Sequence, residues 1–123
     1  MGNESAVVSY DAAAEQVARQ WLALVDSGDV AKSWANAATL FRARVSESEW
    51  GKALGAARQP LGALVRRALK DGRLVSELPG APDGEYVVLT YASEFEHKRA
   101  AVETVTPMKD EDGQWRVAGY YIR

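Results

Sequence analysis

Two periods run along this chain. Up to about residue 60, apolar positions recur every three to four residues; beyond it they tend to alternate. Ala14, Val17, Ala18, Trp21, Leu22 and Val25 form one stripe. That stripe predicts a first helix, capped by Asp11 and ended at Gly28. Asp29 is placed to cap a second helix running through Phe41. Ser46 and Glu49 have the spacing of a capping box and open a third helix, with Trp50, Leu54 and Ala57 on its apolar side. Pro60 stops that helix near Arg58, because it lacks an amide proton and clashes with the preceding turn.

The second half reads as strands. Residues 62–78 predict a long, irregular strand broken near Lys70–Gly72, with a further helical turn before Asp71 as the alternative. "GEYVVLTYASEF" is rich in β-branched and aromatic residues. "AAVETVTPMK" follows, with Pro107 marking an edge or a bulge. "DEDG" is a turn, and "QWRVAGYYI" is the last strand. Helices first and a meander afterwards predict an α+β fold. Three N-terminal helices pack on a curved antiparallel sheet of about four strands. The whole chain, 1–123, reads as one domain: a flexible segment 1–10, a helical part 11–60 and a sheet part 61–123.

Hairpin geometry extends this to faces. With the central turn on His97 and Lys98, Tyr91 lies opposite Thr104 and Ala92 opposite Glu103. One face then carries Val87, Leu89, Tyr91, Phe95, Val102, Thr104, Met108, Trp115, Val117 and Tyr121, and meets the helices. The other carries Tyr86, Val88, Glu94, Glu103, Val105, Arg116, Ala118, Tyr120 and Ile122. It is less polar than a solvated face usually is, which predicts a binding surface or a homodimer interface made of Tyr86, Val88, Glu103, Val105, Arg116, Tyr120 and Ile122. One bulge would exchange part of this assignment.

Composition narrows the partners. The chain has 47% hydrophobic and 26% charged residues, as an ordered globular domain does. A net charge of −2 gives no electrostatic reason to bind nucleic acid or an anionic membrane. No apolar run approaches the roughly 20 residues of a membrane span. There is no cysteine and one histidine, so no cofactor and no metal is expected. The first residues lack the basic and apolar regions of a signal peptide. The location is cytoplasmic if Met1 is the native start, and periplasmic or cell-envelope if a leader was removed.

Little here suggests catalysis. His97 sits in a charged turn, no base is placed beside any serine, and Asp110, Glu111 and Asp112 lack the spacing of a calcium loop. Trp21, Trp34, Trp50 and Trp115 read as core. Glu103 is the one catalytic candidate, being a carboxylate in mid-strand among apolar residues. An ion pair with Arg58, Arg66 or Arg116 is the structural alternative.

"WLALVDSGDVAKSW", "RQPLG", "LPGAPDGEYVVLTYASEF" and "AVETVTPMKDEDGQWRVAGYYI" together resemble the bacterial family known as domain of unknown function 4019, from about Ala12 to Ile122. The Leu-Pro-Gly-x-Pro-x-Gly-x-Tyr run and the closing Gly-Tyr-Tyr carry the resemblance most specifically. It implies no catalytic residue. Members often look exported, which bears on location. The order of elements is also similar to cystatin-like and nuclear-transport-factor-two-like folds, which host very different functions. The expected function is a non-enzymatic ligand- or protein-binding module. The alternative is a small cofactor-independent isomerase- or hydrolase-like enzyme, with a pocket between helices and sheet and Glu103 or a tyrosine as its acid–base group.

Overall fold

The computed structural model describes residues 10–123. Residues 1–9, most of the segment expected to be flexible, lie outside the described residues. The fold is α+β: α1 (Ala12–Asp26), α2 (Val30–Ala35), α3 (Thr39–Arg44) and α4 (Glu47–Arg58) precede a meander of β1 (Leu64–Val75), β2 (Tyr86–Phe95), β3 (Lys98–Lys109) and β4 (Trp115–Ile122). The four strands pair antiparallel in sequence order.

Local chemistry sets most helix ends. The Asp11 carboxylate accepts from the Ala13 amide, and Asp29 accepts from Lys32. The Ser46–Glu49 capping box is formed in both directions. Gly28 takes a φ of +75° just past α1, where a side chain would be strained. A single 3₁₀ turn, Gln59–Leu61, absorbs Pro60 after α4.

The helix expected from Val30 to Phe41 is two short helices, so the described chain has four α-helices rather than three. The break has a tertiary cause. The Ala38 amide donates to the Val117 carbonyl on β4, 2.8 Å away, instead of continuing the helix. Ala38 cannot cap α3 itself; Asp110, in the β3–β4 turn, accepts from the Thr39 amide at 3.0 Å and from its hydroxyl.

The core lies between the helices and one sheet face. Trp21, Phe41, Trp50 and Tyr120 cluster there, with ring centroids 5.1 to 6.3 Å apart. Buried Ser33 organises this cluster: its carbonyl accepts from the Trp21 indole and its hydroxyl from the Trp50 indole, each at 2.8 Å. Trp34 donates to the Val45 carbonyl and Trp115 to Asp11, so all four indole N–H groups are paired. Trp21, Trp50 and Trp115 are buried, whereas Trp34 is only half-buried.

The expected register between β2 and β3 is corrected by one residue. Tyr91 faces Glu103, Thr90 faces Thr104, and the turn centres on Glu96 and His97. The segment before β1 causes this. Glu96 donates its amide to the Ala63 carbonyl and accepts from the Ala63 amide, and the His97 amide donates to Leu61. Gly62 permits that approach: a Cβ there would meet Glu96 Oε1 at 2.7 Å, and its φ is +76°. A slip of one residue exchanges the faces of β3 relative to β2. In β4 a bulge at Ala118 then keeps Trp115, Val117, Tyr120 and Ile122 on one side.

Candidate functional site

The corrected register divides the expected interface residues between two faces. Glu103 and Val105 are fully buried toward the helices, and Tyr120 and Ile122 lie beside them on the same face. Tyr86, Val88 and Arg116 belong to the opposite, outer face. Tyr86 is fully buried even so, because its hydroxyl donates to the Pro82 carbonyl of the β1–β2 loop, which covers it. The seven residues therefore do not form one patch. They contribute to two arrangements, one inside the molecule and one on its surface.

Inside, Glu103 is the hub of an ion cluster. Arg67, on β1, donates to it from Nε at 2.7 Å and from Nη2 at 3.2 Å. The Ser93 hydroxyl donates at 2.6 Å, and the Tyr120 hydroxyl donates to the other carboxylate oxygen. Arg67 also makes a bidentate pair with Asp26, both bonds 2.9 Å, and Arg58 joins Asp26 at 2.9 Å. Arg58 lies over the Phe95 ring, 4.7 Å from its centroid, with Nη1 4.0 Å from Glu103. Two carboxylates and two guanidiniums thus balance. Burial works against the Arg67 charge, but its bonds to Asp26 and Glu103 win and hold it protonated beyond the ordinary range. Burial and the adjacent Glu103 charge push the Tyr120 hydroxyl up. Burial likewise raises Tyr91 to about 12, and its hydroxyl has no partner among the described residues.

Arg67, Ser93 and Tyr120 all donate to Glu103, and its carboxylate is fully removed from solvent. Asp26 and Arg67 escaped the sequence reading. Arg67 lies in the stretch whose element type was ambiguous, two strands from Glu103, and no spacing rule connects them. Arg66, the neighbour named as a candidate partner, points outward and pairs with Glu94 at 2.8 Å. Arg116 pairs with Asp110 and Asp112.

The outer face has another chemistry. Its cross-strand rows read Ala68, Ala92 and Val102, then Asp71, Thr90, Thr104 and Tyr121. Val88 and Met108 continue the same surface toward Tyr86. The centre of this face carries no charge; the charges sit at its rim, as Arg66, Glu94, Asp71, Arg73 and Arg116. Among the described residues no helix covers it, and Tyr121 is 61% exposed. At the end nearest the β2–β3 turn, a depression of about 440 Å³ lies among Arg66, Ala68, Lys70, Ala92, Arg99 and Val102.

Among the described residues, no group of His, Asp or Glu is arranged to hold a metal ion, and no helix is long and apolar enough to cross a membrane. No curated protein and no solved structure matches the chain. A family model does match, over residues 17–120, and it covers the helices from within α1 and nearly the whole sheet. On that match the chain belongs to the family described as protein of unknown function, DUF4019.

Proposed function

We propose that this chain is a non-enzymatic binding module that docks another polypeptide on the outer face of its sheet, self-association included. One observation carries this reading: the outer face has an uncharged centre of small, β-branched and aromatic side chains inside a charged rim, and apart from the β1–β2 loop over Tyr86 at one end no element of the described chain covers it. Depletion of charge at the centre with a polar rim is how protein interfaces are built. The interior supports the same reading. Aromatic rings pack against one another between helices and sheet, and Glu103 is held by Arg67, Ser93 and Tyr120. We read the order of helices and meander as a cystatin-like or nuclear-transport-factor-two-like arrangement, in which function resides in whichever surface is left open.

A photo-activatable phenylalanine tests this in the cells where the chain is native. Placed at Thr104 it yields a discrete protein adduct. Placed at Lys52, on the exposed side of α4, it yields none. Val102→Glu suppresses the Thr104 adduct while leaving the fold intact. Equal adducts from both positions, or none from Thr104, would overturn the reading.

A further inference from the structure

Charge is segregated along the strands of the outer face. The end at the β2–β3 turn carries Arg66, Lys98, Arg99 and Arg123, with Lys70 close by, all exposed, against two carboxylates, Glu94, which pairs with Arg66, and Glu96. The opposite end carries Glu77, Asp83 and Glu85 in the β1–β2 loop, and Glu111 and Asp112 in the β3–β4 turn, also exposed; Lys109 pairs with Glu85 and Arg116 with Asp112, which leaves Glu77, Asp83 and Glu111 without a cation in reach among the described residues. Among the described residues, no carboxylate lies within ion-pair distance of Lys70, Lys98, Arg99 or Arg123. The two ends differ in shape as well. The basic end holds the depression lined by Arg66, Lys70, Arg99 and the small residues Ala68 and Ala92; Glu94 also lines it and pairs with Arg66, so Lys70 and Arg99 supply its net positive charge. At the acidic end the β1–β2 loop is held by the Tyr86 hydroxyl, which donates to the Pro82 carbonyl, and by Arg44 of α3, which donates to the Gly80 carbonyl.

Both features lie on β1 and β2, at opposite ends of the same strands. We infer that the partner is a second copy of this chain, stacked face to face about a two-fold axis that runs across the strands. The acidic loop Pro82–Glu85 of each copy then sits in the basic depression of the other. This rests on the reading that the outer face docks a polypeptide, and it names the occupant. A two-fold interface must be self-complementary, and this axis turns the basic end of one sheet onto the acidic end of the other, twice. An axis along the strands would instead bring basic onto basic. The area is sufficient. Four strands about 4.8 Å apart and about ten residues long give roughly 600 Å² per copy, or about 1,200 Å² in all, the lower bound of specific interfaces. The uncharged middle of the face, Thr90, Val102 and Thr104, meets its own symmetry copy there; Asp71, at the β1 edge of the same row, is paired with Arg73 at 3.5 Å.

Sedimentation velocity with two charge reversals tests this. Wild type is a dimer at tens of micromolar. Asp83→Lys places a cation in a cationic depression, and Lys70→Asp places an anion under an anionic loop. Each variant alone raises the dissociation constant about tenfold or more. Mixed in equal amounts, the two form a heterodimer of near wild-type affinity, because each loop then meets a depression of opposite charge. A variant that merely misfolded could not be rescued in this way, and circular dichroism of each checks the fold. A monomeric wild type would overturn the inference, as would a mixture that stays monomeric. If Thr104 cross-links to a protein of another mass while wild type sediments as a monomer, the docking face stands and the second copy falls.

Discussion

Arg67 on β1 and Glu103 on β3 meet 2.7 Å apart across the intervening strand β2, and the Ser93 hydroxyl between them donates to the same carboxylate oxygen. Neither charge would be tolerated alone at that depth. Glu103 is fully buried and the Arg67 side chain is 13% exposed. The pair therefore fixes the diagonal alignment of three strands, and Asp26 ties it to the end of α1.

Removing one partner leaves the other uncompensated. Glu103→Leu costs about 3–5 kcal/mol in chemical denaturation. Arg67→Met costs less, because Arg58 and Tyr120 still face Glu103. The double variant costs less than the two together, by about 0.5–3 kcal/mol, since the second removal relieves the charge stranded by the first. Strict additivity would contradict the coupling, and a Glu103 variant of full stability would reopen an acid–base role.

The faces of β3 give a sharper contrast between adjacent residues. Val105 is fully buried against the helices, and Thr104 faces outward. Val105→Glu places an unpaired charge in the core and prevents folding or destabilises severely. Thr104→Glu leaves the monomer's melting temperature within a few degrees of wild type. A folded, stable Val105→Glu protein would restore the register expected from the sequence.

That register shows what the sequence could convey. Period and capping were legible because they are local: Asp11, Ser46 with Glu49, and Pro60 each act within a few residues of the helix end they define. The four strands were legible for the same reason. The division of the second helix was not, since Val117 and Asp110 cause it from some 70 residues away. Nor was the hairpin offset, which depends on Glu96 pairing with Ala63. Glu103 stood out as a charge among apolar residues, and Val105, Tyr120 and Ile122 do share its face; which face that was depended on the one-residue offset.

Acid weakens the link between the β3–β4 turn and α3. Burial opposes the Asp110 charge, but the amides of Thr39 and Glu111, the Thr39 hydroxyl and Arg116 lower its pKa overall. Arg116 and the Gln114 amide hold Asp112 at about 2. Both carboxyls thus ionise more readily folded than unfolded. The stability they add is complete above the unfolded value near 4 and is lost as pH falls through the folded value. Asp110→Asn lowers stability at pH 7 and flattens its decline between about pH 4 and 2. An unchanged acid profile would show that Asp110 does not hold α3.

The central claim, that one sheet face is sealed by the core and the other is covered by a partner, is tested most directly by iodination of the tyrosines at increasing protein concentration. Tyr86, Tyr91 and Tyr120 should remain poorly reactive throughout, being buried or hydrogen-bonded inside the monomer. Tyr121, 61% exposed in a single chain, should react in dilute solution and become protected as concentration passes through the dimer's dissociation constant. Tyr121 reactivity that does not change with concentration, or Tyr120 labelling ahead of Tyr121, would contradict the account.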